Sequence, residues 1–233
     1  MQQFYDAFAA ALRLIATFDP ELVQIVLLSL KVSLTAVTFA ALIGLPLGAA
    51  VVLYKFPGRR LLVVVLNSLM GLPPVVVGLV VYLLLSRAGP LGVLGLLFTP
   101  TAMIIAQTLL VMPIIAALAR QFVEDLWQEY ADQLRSLGVG PAQALLTLLW
   151  EGRFSLTTAV LAGFGRASAE VGTVMIVGGN IEHATRTMTT AIALETSKGD
   201  LSLALGLGFL LMLLSVMING AAYLIRDLSW RQP

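Results

Sequence analysis

Residues Val32–Tyr54 form a run of 23 without one Asp, Glu, Lys, Arg or His. Nothing else in the chain limits its fold as much. A helix of about 20 apolar residues crosses the roughly 30 Å of hydrocarbon in a bilayer. Leu61–Leu85 and Leu201–Ile225 each supply 25 uncharged residues. Ala88–Ala119 supplies 32, but Gly89, Pro90, Gly92 and Gly95 make its first part a loop. Its spanning part starts at Thr99-Pro100, with Thr as cap and Pro in the first helical position. A fifth segment, Phe154–Ile181, is interrupted by Arg166 and Glu170 but apolar on both flanks. None of these runs alternates apolar and polar residues as the strands of a membrane barrel do. The expected fold is therefore all-α and membrane-integral. Its five spans lie at about 22–54, 61–86, 99–120, 154–180 and 201–226, in a single transmembrane domain over 20–233.

Composition agrees. Hydrophobic residues are 59% of the 233 and charged residues 12%, against about 45–50% and 25% in soluble domains. That excludes an ordinary soluble enzyme and a nucleic-acid binder; the lipid bilayer is the first partner. The absence of Cys removes thiolate metal sites and Cys nucleophiles, and a single His, His183, gives no basis for a metal centre or a triad. Met1–Phe18 places Phe4, Phe8, Ala11, Leu12 and Ile15 on one helical face, as an interfacial amphipathic helix over 1–18 does. Asp19-Pro20 then reads as N-cap and first turn of a helix running to about Lys55. Such a helix is about 50 Å long, so it tilts, bends at Pro46 or projects from the bilayer. Lys55, Arg59, Arg60, Arg120, Arg135, Arg153, Arg226 and Arg231 fall on one side of the membrane, and Arg13, Arg87, Arg186 and Lys198 on the other. Eight against four puts the first group in the cytoplasm, the N-terminus outside and the C-terminus inside a cell membrane.

The one long connection, 121–152, holds Glu124, Asp125, Glu129, Asp132, Arg135 and Glu151. It reads as two helical pieces broken at Gly138-Val139-Gly140-Pro141, where glycines permit a tight bend and Pro starts the second piece. Ala142, Leu145, Leu146, Leu148 and Leu149 then recur at helical spacing. Periodicity alone fits a docking device and a plain amphipathic loop equally.

Asp132-Gln133-Leu134-Arg135-Ser136-Leu137-Gly138 resembles the cytoplasmic-loop motif of permease subunits of ABC importers, in which Glu-Ala-Ala is followed shortly by Gly. Asp132 stands for the Glu, Gln133 and Leu134 replace the alanines, and Glu151 stands where that family often has Pro. Leu72-Pro73-Pro74-Val75-Val76-Val77-Gly78 resembles the double-proline segment of oxyanion permeases, those for molybdate, sulfate and tungstate. Gly165-Arg166-Ala167-Ser168-Ala169-Glu170-Val171-Gly172 and Val174–Ile181 are similar to their Arg-Ala-x-x-Glu-x-Gly stretch and its sequel. Thr185–Ile192 and Ala193–Asp200 resemble the tungstate branch most.

This resemblance implies a pathway subunit that works with a second copy of itself, two ATPase subunits and an extracytoplasmic oxyanion-binding protein. It places ATPase coupling at Asp132, Arg135, Leu137, Gly138, Val139 and Gly140. No cofactor is expected on this chain; ATP is used by the partner. The chain also lacks a Gly-x-x-x-x-Gly-Lys-Ser/Thr loop, so it is not expected to be an enzyme. Molybdate or sulfate permeases of the same type are the alternatives. An intramembrane enzyme lacks its acid pair, and an ion-coupled carrier usually shows internal repeats that are not found here.

Arg166 and Glu170, four apart, share a helical face; they either attract an anion or form a structural intramembrane pair, and their charge balance favours the pair. Lys31 lines a pathway or, more simply, snorkels to the headgroups. Pro73 and Pro74 are expected to kink the second span at a gate. Asn180, Thr189 and Thr190, with Thr185 and Thr187, are candidates for the pathway or for a polar external loop, and Gly178-Gly179 for a bend. Gly44, Gly48, Gly206 and Gly208 are expected to let helices approach closely.

Overall fold

The computed structural model describes residues 20–230, and for residues 222, 223 and 225–230 the backbone alone. The expected interfacial helix over 1–18 lies outside the described residues. Among them the chain is all-helical. In order come α1 (Pro20–Leu53), α2 (Arg59–Leu69), α3 (Pro74–Leu85), a 3₁₀ turn (Gly92–Leu94), α4 (Pro100–Ser136), α5 (Pro141–Glu151), α6 (Arg153–Ser168), α7 (Gly172–Gly178), α8 (Met188–Lys198) and α9 (Leu201–Trp230).

Three helices are long and apolar enough to cross a membrane: α1, α4 and the Leu201–Ala221 part of α9. The other two expected spans are broken pairs. α2 and α3 meet at 103°, and α6 and α7 at 59°. Five spans follow if each pair is counted as one. The cause of the first break is local. Pro74 occupies the first position of α3, and the amides of Val76 and Val77 both donate to the Pro73 carbonyl, at 3.0 and 3.3 Å. Neither Pro owes an N–H there, so the pair starts a helix where a mid-helix kink was expected.

The third expected span and the first helical piece of the long connection form one helix, α4. It runs on for 37 residues to Ser136, about 55 Å at 1.5 Å per residue. Residues 121–136 contain neither Gly nor Pro. Val123, Leu126, Trp127, Tyr130, Ala131 and Leu134 recur at three- and four-residue spacing, so the inward stripe continues into the last turns of α4.

The described residues fall into two compact units. One joins Leu34–Val77 to Gln107–Ala167. Here α1 and α4 pack backbone to backbone: a Cβ on Gly48 would lie 2.4 Å from the Ala116 carbonyl oxygen, and one on Gly44 3.1 Å from that of Met112. The Thr108 hydroxyl donates to the Ala36 carbonyl at 3.3 Å, and the Gln107 amide to that of Ala167 at 3.1 Å. The other unit contains Gly78–Ala106 with the described parts of the segments before Leu34 and after Ala167. Its core joins Leu22 and Ile25 of α1, Met188 and Ala191 of α8, and Leu207 of α9. Gly208 has open space beside it rather than a packed neighbour.

Candidate functional site

The turn between α4 and α5 is built from its glycines upward. Gly138 takes the left-handed conformation, φ 69°. Its amide donates to Arg135 at 3.0 Å, and the Val139 amide reaches back to Leu134 at 3.0 Å. That double closure satisfies carbonyls that a helix end leaves open, and it sets Val139 against Leu134 in one apolar cluster. Gly140 is extended, and Pro141 begins α5. α5 folds back so that Ala144 and Leu148 pack with Val123 and Leu134 of α4 and Ala49 and Val52 of α1. The result is a braced elbow.

What the elbow exposes is distinct. Leu137 is 77% exposed at its tip. Asp132 and Arg135 pair at 3.3 Å on the surface, and the Arg135 guanidinium also lies 5.4 Å over the Trp127 ring. Behind the elbow, Glu124 bridges Arg120 and Arg59, and Arg59 Nε donates to the Val51 carbonyl at 2.6 Å, tying the start of α2 to the end of α1. The charge of Glu129, with burial and Glu151 adding to it, holds the Tyr130 hydroxyl above its ordinary value. The structure thus gathers Asp132, Arg135, Leu137, Gly138, Val139 and Gly140 on one turn. The Arg135–Trp127 stack was missed by sequence reasoning; its signal was the spacing of eight, two helical turns and a little more.

In the other unit the candidate threonines bond to backbone groups and to one another. Thr185, Thr187, Thr189 and Thr190 are buried. The Thr185 hydroxyl donates to the Gly178 carbonyl at 2.6 Å and accepts from the Ile181 amide at 2.9 Å. Thr187 and Thr190 form a reciprocal capping box at the start of α8. The Thr189 hydroxyl donates to the Glu170 carbonyl at 2.8 Å. Glu170 is 3% exposed, and its carboxylate accepts the Thr173 amide at 2.9 Å, capping α7. Arg166 lies in the last turn of α6. Gly179 ends α7 at φ 73°, and Asn180 follows at φ 50° with its Oδ1 buried and unpartnered.

Two openings flank this loop. A cavity of about 410 Å³ is lined by Glu21, Glu182, Arg186, Glu195 and Lys198 among others. Both of its cations are paired, Arg186 with Glu21 and Glu182 at 3.3 and 3.6 Å, and Lys198 with Glu195 at 2.8 Å. An entering anion competes there with carboxylates. Lys31 lines a second, more apolar groove with Leu27, Leu28, Gln24 and His183. Among the described residues no group of three or more His, Asp or Glu converges on a metal-sized site.

No protein-family model matches the chain. Individual proteins do. The chain is 43% identical over 227 residues to the tungstate uptake system permease protein TupB of Peptoclostridium acidaminophilum, covering 97% of this chain and 100% of that one. It is 42% identical over 211 residues to a probable anion ABC transporter permease protein of Haloferax volcanii, covering 88% and 91%. Against the molybdenum transport system permease protein ModB of Escherichia coli identity is 31% over 195 residues, covering 78% and 83%. Identity at this level along nearly the whole chain, together with its apolar helices, leaves one assignment: the chain is a multi-pass membrane protein of the oxyanion permease family, the membrane subunits of ABC importers of the tungstate and molybdate type.

Proposed function

We propose that this chain forms the pathway by which an ATP-driven importer carries tungstate into the cell. The substrate reading rests on the relatives: those named for tungstate uptake are 43% and 37% identical, while those named for molybdenum and sulfate transport are 27–31%. The mechanical reading rests on one observation, the exposed elbow at the end of an unbroken α4. An ATPase subunit seats on Asp132, Arg135, Leu137 and Gly138. Its closure on ATP moves the elbow as a rigid piece, because the apolar cluster beneath locks α5 to α4. α4 carries that displacement along its 37 residues, about 55 Å.

The working unit contains two copies of this chain and two ATPase subunits, with a binding protein delivering the anion on the far side. The elbow is cytoplasmic and the N-terminus external; Arg59, Arg120, Arg135 and Arg153, all in the elbow's unit, support that orientation. The chain binds no cofactor, and ATP is hydrolysed by the ATPase. The breaks at Pro73-Pro74 and between α6 and α7 are the hinges of the pathway. Arg166 and Glu170 serve structure, Glu170 as the cap of α7. Thr189 and Thr190 hold the loop that carries Asn180. Proteoliposomes containing this chain, its ATPase and its binding protein are expected to accumulate tungstate only with ATP inside. Uptake by the chain alone, without ATP, overturns the reading.

A further inference from the structure

The far end of α5 carries a cluster that the elbow does not use. Trp150 is 70% exposed and Leu146, one turn earlier on the same stripe, 68%. The opposite face of α5, through Ala144 and Leu148, is the one buried. Arg153 opens α6, and its guanidinium lies 4.9 Å from the Trp150 ring and 4.5 Å from that of Phe154. One of its N–H groups donates to the Trp150 carbonyl at 2.8 Å. Among the described residues Arg153 has no carboxylate at ion-pair distance. Its other N–H groups are left for a ligand. α6 then continues through the apolar stretch Leu156–Phe164.

We propose that Trp150 and Arg153 form a site for the headgroup of an anionic phospholipid, with Leu146 and Trp150 lying against its upper acyl chains. Trp favours the headgroup level of a membrane. A guanidinium in contact with two aromatic rings is held in place and offers a planar fork to a phosphate. The cluster is continuous with a membrane-entering helix, and it lies about 15 Å along α5 from Gly140. That distance separates it from the elbow tip, which is left for a protein partner. The inference goes beyond the transport reading and requires only that α6 enters the bilayer.

The chain has three Trp, so Trp127→Phe and Trp230→Phe leave Trp150 as the reporter. In nanodiscs, brominated phosphatidylglycerol is expected to quench its fluorescence at least about twofold more than brominated phosphatidylcholine. Arg153→Gln removes the difference between the two lipids, and adding the ATPase leaves the quenching unchanged. Equal quenching by both lipids before the Arg153 change overturns the site, as does no quenching by either. Quenching lost on adding the ATPase makes the cluster a protein interface and overturns it too. Native mass spectrometry of the unaltered chain gives an independent reading. Phosphatidylglycerol retained by it and lost in Arg153→Gln supports the site; equal retention by both refutes it. Neither measurement involves transport, so its failure leaves the transport reading standing.

Discussion

Two glycines two residues apart do different work. Gly138 has open space around it but φ 69°. A Cβ there costs about 1–2 kcal/mol through the backbone alone. Gly138→Val is expected to loosen the elbow and cut ATPase co-purification severalfold, while Gly140→Ala, with ordinary φ and equal space, leaves it unchanged. A pull-down with tagged ATPase checks both. Thr185 makes two buried hydrogen bonds, so Thr185→Val is expected to lower stability by about 1–3 kcal/mol, read as a fall in the melting temperature in detergent. Gly138 was legible in the sequence because a Gly-x-Gly-Pro run after a helical stripe has few other uses. The threonines were not. A row of hydroxyls beside glycines looks the same whether it faces an anion or a carbonyl, and only the folded loop shows Thr185 bonded to Gly178 and Ile181, Thr189 to Glu170, and Thr187 and Thr190 to each other.

At the scale of elements, the apolar runs were legible and their ends were not. The uncharged stretch 99–119 marks where an apolar run ends, but a helix stops where its backbone is interrupted, and beyond Pro113, which α4 accommodates, neither Gly nor Pro occurs before Gly138. Likewise Pro73-Pro74 signalled a disturbance within an apolar run without saying that the chain turns through 103° there. If α4 is the lever, Gln121→Gly with Gln128→Gly, both exposed positions, weakens it by about 1 kcal/mol each. ATP hydrolysis and ATPase retention are expected to persist while tungstate uptake falls severalfold, so the ratio of uptake to hydrolysis is the readout. Close approach of α1 and α4 makes the opposite case: Gly48→Ala drives a Cβ into the Ala116 carbonyl. It is expected to cost about 1–3 kcal/mol, whereas Gly208→Ala, beside open space, is expected to be neutral in the same thermal assay.

At the scale of the whole molecule, the proposal that an ATPase drives this permease turns on which side of the membrane the elbow faces and on what covers it. The chain contains no Cys, so a single Leu137→Cys substitution reports from one known place. A membrane-impermeant maleimide is expected to label that thiol in inside-out vesicles and not in intact cells, and bound ATPase is expected to block the labelling. Labelling from the outside of intact cells, or labelling indifferent to the ATPase, contradicts the account.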